Sequence, residues 1–238
     1  MYLVSATRQN LASVPRKPRR RRITQASVSN RSTPPIGSDP IAIEGYRTIA
    51  YEIAEQLSWS VPDLVAVPSA LGDGIQGIWR GFRDLATWGV VDATPRMVAV
   101  EVGGAVASSL AGGKDWVAPS GDVHSLARSL GGITGTVQTL QAVVESEGLV
   151  VRVTDAELET ARIVLGESEG VWAELGAAAG LAAAQKLSSR GDIPARAHFV
   201  AVVTEHGLLD EMAQVPPMLE TVDARVDELL RVLAVRGE

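Results

Sequence analysis

Apolar residues recur along this chain with two alternating rhythms, and that alternation sets the expected fold. Ile41, Ile49, Ile53 and Leu57, with Tyr46 and Ala50, share one face of a helix over 42–57 that stops before Ser58-Trp59-Ser60 and Pro62. Val65-Ala66-Val67 ending at Pro68 is a continuous apolar run, as a strand buried on both faces requires, and Pro68 suits its last, unpaired position. The spacing Ile75, Ile78, Trp79, Phe82 then predicts a helix over 73–86. Met97-Val98-Ala99-Val100-Glu101 reads as a second buried strand, followed by a short helix of small residues over 103–110 and a loop rich in Gly, Ser and Pro over 111–132. Helix 134–146, strand 149–153, helix 155–168, helix 174–188, strand 198–203 and helix 218–234 complete the pattern. Thr154-Asp155-Ala156-Glu157 is a start signal for 155–168, with Thr154 or Asp155 as cap and Glu157 in the first turn. Strands alternating with helices predict an α/β fold, a parallel sheet with flanking helices whose ligand crevice lies outside the carboxyl ends of the strands.

The first 40 residues break this pattern. Of 22 basic residues, eight lie there, opposed only by Asp39, so the body over 41–238 holds 14 basic residues against 27 acidic ones. Arg16-Lys17-Pro18-Arg19-Arg20-Arg21-Arg22 and the prolines at 34 and 35 carry no hydrophobic period, so 1–40 is expected to be a disordered basic extension. It reads as a nucleic-acid-binding arm, an organelle transit peptide or an extension without a role. An acidic body offers nucleic acid no second contact surface, so that partner is not expected. No apolar run approaches the roughly 18 to 20 uncharged residues of a membrane span, so no membrane partner is expected either. The absence of cysteine removes disulfides, thiolate catalysis and cysteine-ligated zinc, and is compatible with a reducing cytoplasm, the expected location. Three scattered histidines, at 124, 198 and 206, give no metal-ligand spacing.

Candidate chemistry gathers at two expected strand ends. After Pro68 the chain runs Ser69-Ala70-Leu71-Gly72-Asp73-Gly74, a turn of small residues into a helix. Its glycines permit close backbone approach, Asp73 can cap the helix, and the free N–H groups at the helix start favour an anion such as phosphate. An ordinary strand-to-helix connection with a good cap fits these residues equally well. Thr204 ends the strand over 198–203 and would face the same crevice, or simply finishes that strand.

Three stretches in order carry a resemblance: Ile43-Glu44-Gly45-Tyr46-Arg47-Thr48-Ile49-Ala50-Tyr51-Glu52-Ile53, the loop at 69–74, and Val200-Ala201-Val202-Val203-Thr204-Glu205-His206-Gly207-Leu208-Leu209-Asp210. Together, from about Ile41 to about Asp210, they resemble threonine synthase and its relatives in the tryptophan-synthase-beta-like (fold type II) family of pyridoxal-phosphate (PLP) enzymes. The resemblance implies a lyase of amino-acid metabolism performing β/γ-elimination and replacement on a small amino-acid substrate. By position, Ala70, Leu71, Gly72, Asp73 and Gly74 would bind the PLP phosphate, and the hydroxyl of Thr204 would contact the pyridine nitrogen. Ala70 and Leu71 stand where the family has glycine, and Glu205 stands where it often has glycine. Gly170-Val171-Trp172-Ala173-Glu174-Leu175-Gly176-Ala177-Ala178-Ala179 is similar to the family segment that passes near the ring, although 174–185 also reads as an Ala-rich helix packed on a sheet. Gly131-Gly132-Ile133-Thr134 is a substrate loop or a helix lead-in.

In the family, the lysine that binds PLP as a Schiff base lies well before the phosphate loop. The lysines of this sequence are Lys17, Lys114 and Lys186, and none has that context, so no catalytic residue is assigned. The sequence therefore reads as the C-terminal half of such an enzyme, incomplete at its N-terminal side. Its partner would be a complementary N-terminal half or a second copy. A non-catalytic cofactor-binding or interaction module, or a decayed fragment without activity, are the competing readings.

Overall fold

The computed structural model describes residues 2–5, 40–118, 123–131, 136–194 and 196–209. In chain order the elements are β1 (Tyr2–Ser5), α1 (Pro40–Gln56), β2 (Leu64–Pro68), α2 (Asp73–Thr87), β3 (Arg96–Glu101), α3 (Ala105–Ala111), α4 (Arg128–Gly131), α5 (Val137–Glu145), β4 (Leu149–Arg152), α6 (Asp155–Glu169), α7 (Ala179–Arg190) and β5 (Phe199–Val203). All strand pairings are parallel, in the order β1-β5-β2-β3-β4. Pro68 is the last residue of β2 and is paired with Val100 of β3, not unpaired, while the pairing of β2 with β5 ends two residues earlier, at Ala66.

The continuous apolar strands reflect burial on both faces. Val65 and Val67, Met97 and Ala99, Val200 and Val202 point into one cluster with Ile53, Ile75, Ile78 and Phe82 of α1 and α2. Leu64 and Ala66, Val98 and Val100, Ala201 and Val203 point into the other, against α6 and α7. The two cores lie on opposite sides of one sheet because successive side chains of a strand alternate. Small residues set the helix approach. A Cβ on Gly81 of α2 would stand 2.6 Å from the Arg47 carbonyl oxygen and 2.7 Å from the Ala50 Cβ, so α1 crosses α2 in close contact. Arg47 and Tyr51 of α1 both hydrogen-bond Asp84 of α2. The Tyr51 hydroxyl is pushed above its usual range by burial and by that carboxylate.

Several expectations are corrected. Ile41 is exposed, and the buried stripe of α1 is Ile43, Ala50, Ile53 and Ala54, because the face set against Gly77 and Gly81 of α2 fixes the rotation of the helix. Residues 2–5, expected to be disordered with the rest of the basic extension, form β1 on the outer edge of β5, where backbone pairing asks for no particular side chain. The remainder of that extension, 6–39, and the expected helix 218–234 lie outside the described residues. The helix expected from 103 starts at Ala105, after Gly104 in the left-handed region (φ 84°). The expected loop 111–132 contains the short α4. The helix expected over 174–188 is a 3-10 turn at Gly176–Ala178 followed by α7 from Ala179. Among the described residues, no helix is long and apolar enough to cross a membrane.

Candidate functional site

At the carboxyl end of β2, Ser69 is buried and donates its N–H to the Val100 carbonyl, and the chain then leaves the sheet. Gly72, not Asp73, caps α2, with φ 87° and no side-chain hydrogen bond to the first turn. Glycine reaches that left-handed geometry without a Cβ penalty, which lets the loop turn straight into the helix. Asp73 is instead the first helical residue, and its Oδ1 accepts the Gly74 N–H at 3.0 Å. Its charge, together with the larger effect of burial, raises the Tyr46 hydroxyl above its usual range. Among the described residues, the amides of Ala70, Leu71, Gly72 and Asp73 have no hydrogen-bond partner. Four successive unpartnered N–H groups at the positive end of a 15-residue helix form the kind of concavity that holds an anion.

The absent side chain of Gly72 points at α5 and not into the space such an anion would take. A Cβ there would stand 2.2 Å from Thr139 Oγ1 and 2.7 Å from Thr136 Oγ1, both at the start of α5. Gly72 is thus a packing glycine, while Gly74 has only Val67 Cγ1, at 4.0 Å, in the direction of its absent side chain. Thr136 Oγ1 donates to the Leu71 carbonyl oxygen at 2.6 Å, tying α5 to the loop. Neither threonine was singled out from sequence; their helical spacing is readable, but what they face is set by the α2–α5 contact.

Thr204, at the end of β5, is exposed and lies at the same sheet edge as the loop, because β2 and β5 are neighbours with Ala66 opposite Ala201. The segment after it is joined to 172–174. Ala173 bridges His206, the Glu174 N–H donates to the Glu205 carbonyl at 3.1 Å, and Gly207 donates to the Trp172 carbonyl at 2.8 Å. A side chain at Gly207 would overlap the Trp172 indole, which explains the glycine. The structure therefore brings 69–74, 172–178 and 204–207 to one end of the sheet. Two buried acids at this end went unnoticed in the sequence. Glu101 accepts from the Val106 and Ala107 N–H groups and so caps α3, and Glu174 Oε2 accepts from Ala177 N–H. An acid closing a run of apolar strand residues, as Glu101 does, was the available signal.

Other charged residues belong elsewhere. Lys186 donates to the Arg152 carbonyl and to Glu157, and Lys114 lies over the Trp116 ring. Lys17 is outside the described residues. Arg80 pairs with Glu44 and Arg83 with Glu145, along α2 and away from its start. A groove of about 1110 Å³ runs along the outer side of β4, lined by Leu149, Arg152, Lys186 and Arg190 among others, and by none of the loop residues. Lys186 covers the Arg152 carbonyl there, the usual protection of a sheet edge, so the groove is read as edge and not as the site.

Residues 15–205 match the family described as "Pyridoxal-phosphate dependent enzyme". The chain is similar to threonine synthase of Methanocaldococcus jannaschii, 32% identical over 194 residues that cover 79% of this chain and 48% of the relative. It is also similar to threonine synthase of Methanosarcina acetivorans, 30% identical over 197 residues that cover 80% and 49%. A fungal L-serine ammonia-lyase from Rhizomucor miehei shares the fold with a TM-score of 0.61 at 22% identity, covering 71% of this chain and 53% of that one. The chain spans about half the length of the curated relatives it matches.

Proposed function

The chain belongs to the pyridoxal-phosphate-dependent enzyme family and is threonine synthase-like within it, and we propose that it carries the phosphate-and-ring half of a cofactor site for amino-acid elimination and replacement. The observation that carries this reading is the uncapped start of α2, whose amides 70–73 have no partner among the described residues. The residues fit the phosphate end of PLP: amides 70–73 have no partner among the described residues at the start of a helix, a Cβ on Gly74 would meet only Val67 Cγ1, at 4.0 Å, and the Asp73 carboxylate accepts from the Gly74 N–H.

PLP, when bound, supplies the electron sink for breaking bonds in an amino acid. The chain's residues then have distinct tasks. Ala70, Leu71, Gly72 and Asp73, with Gly74 beside them, hold and orient the phosphate. Thr204 would donate a hydrogen bond from its hydroxyl to the ring nitrogen while keeping the proton on its own oxygen, so that nitrogen would stay unprotonated, a setting suited to β- or γ-elimination and replacement on a small amino acid. A lysine for covalent attachment is not offered by Lys114 or Lys186, each engaged elsewhere, so that group comes from residues other than these two. The complementary half, or a second copy, completes the pocket. The engagement of both described lysines favours a second reading for these 238 residues by themselves, in which they bind without turnover.

Titrating the full chain with PLP tests the proposal. We expect saturable binding that weakens at least about tenfold in Gly74→Val, whose added bulk stands beside amides 70–73, with an unchanged thermal midpoint. Borohydride reduction followed by peptide mass analysis is expected to find no single lysine carrying the cofactor stoichiometrically. Turnover of serine or threonine by the chain alone, or binding indifferent to Gly74→Val, would overturn the reading.

A further inference from the structure

We propose that the groove along the outer side of β4 is a second binding site, for a small carboxylate that carries an aliphatic chain. The groove holds about 1110 Å³, enough for such a molecule, and none of its lining residues belongs to the loop at 69–74, so the proposal stands apart from the cofactor reading. Its charge runs against that of the rest of the chain. The body over 41–238 has 14 basic residues against 27 acidic ones, yet Arg152, Lys186 and Arg190 all line this one groove. The acids near them are largely engaged. The Asp155 carboxylate accepts from the Ser125 hydroxyl and the Leu126 N–H, and Glu157 accepts from Lys186 and Thr154. Of the lining acids that leaves Asp192, two residues after Arg190.

Arg152 supplies the recognition. Its Nε donates to the Val102 carbonyl at 3.0 Å, and its guanidinium lies beside Gly104, where a Cβ would stand 3.6 Å from Arg152 Cδ and 3.7 Å from Nη1. The Nε bond orients the group, while its two terminal nitrogens have no partner among the described residues. A planar fork held in this way matches the two oxygens of a carboxylate. Phosphate fits less well, because the neighbouring helix starts offer it no amides: Glu101 takes those of Val106 and Ala107, and Thr154 takes that of Glu157. An added peptide strand fits less well again, since Lys186 covers the Arg152 carbonyl and Glu157 takes the Thr154 N–H. The aliphatic chain has its own surface. Val150, two residues before Arg152 and so on the same face of the strand, is half-buried, as is Ala107 of α3, and both line the groove. Leu149, also half-buried, carries the apolar surface over the sheet edge.

The test uses the full chain labelled for NMR and titrated separately with hexanoate, acetate and hexanol. The amides of 149–153 and the Arg152 Nε–H are read, so that binding to the basic arm does not interfere. Hexanoate is expected to give saturable shifts at these positions and none at 70–74. Acetate, which lacks four of its methylenes, and hexanol, which lacks its charge, are each expected to bind at least about tenfold more weakly. Arg152→Gln should raise the hexanoate Kd about tenfold, and Arg152→Lys, which keeps the charge and loses the fork, should fall between that variant and the parent. The Arg152 Nε–H of the unmutated chain is a readout independent of whether any variant folds. The proposal is wrong if hexanoate gives no saturable shift at 149–153, if acetate binds as tightly as hexanoate, or if a folded Arg152→Gln binds as tightly as the parent. Phosphate shifts at 70–74 report on the cradle alone, so either site can fail without the other.

Discussion

Two long helices leave the carboxyl end of this sheet, and they begin in opposite ways. α6 starts with a complete capping box: Thr154 Oγ1 accepts from the Glu157 N–H, and Glu157 accepts from the Thr154 N–H. Lys186 closes on the same carboxylate. α2 starts on a left-handed glycine with no side-chain cap, and its loop amides have no partner among the described residues. A finished helix start needs nothing from outside and serves stability; one left open invites an anion and serves binding. The amino acids account for the contrast, Thr-Asp-Ala-Glu against Leu-Gly-Asp-Gly.

The largest effect expected from breaking this contrast is at Gly72. Gly72→Val forces a branched residue into the left-handed region and into Thr139, and should cost about 3 kcal/mol in chemical denaturation. A variant as stable as the parent would mean that α5 does not pack on the loop. Next comes the closed start. Thr154→Ala should cost about 1 kcal/mol and leave phosphate binding unchanged, since its bonds serve only α6. A loss of binding in that variant would erase the distinction between the two helices.

Acid probes the closed start further. Burial pushes the Glu157 carboxyl up, but the bonds from Lys186 and Thr154 outweigh it and hold the group below its usual range. A folded pKa below the unfolded one means that this stability is fully present above the ordinary carboxylate value and is lost as pH falls through the lowered folded value. Urea unfolding should therefore show a steeper acid loss in the parent than in Glu157→Gln, and equal slopes would show the carboxylate to be idle. The smallest effect belongs to the open start. Asp73→Asn removes a charge that favours the helix dipole but opposes a phosphate, so stability should drop by about 0.5 kcal/mol while the phosphate Kd falls two- to fivefold, roughly the worth of one first-turn charge. A weaker phosphate interaction in that variant would show that Asp73 assists binding.

Much of the fold was legible in the sequence. Apolar runs such as Val65–Val67 and Met97–Val100 suit a sheet covered on both faces, where the structure places them, and the Thr154–Glu157 box is a local interaction that forms as its residues predict. The rotation of α1 was not legible, because Ile41 and Ile43 are equally apolar and only the crossing at Gly77 and Gly81 buries one of them. Residues 2–5 were equally obscure, since pairing by backbone hydrogen bonds on β5 leaves no side-chain signature.

The sequence by itself determined where a glycine-bearing helix start follows a buried strand, because strand burial and helical spacing are written in neighbouring residues; that Gly72 and not Asp73 sits at the cap, without a side-chain bond, was decided by the structure. Only the tertiary structure decided what surrounds the loop. Gly72 proved to be glycine for its left-handed φ and for the sake of Thr136 and Thr139, more than sixty residues away, while Gly74 meets only Val67 Cγ1, at 4.0 Å. Contacts between residues so distant in sequence arise from how α2 and α5 pack on one face of the sheet, and no local pattern of residues encodes that geometry.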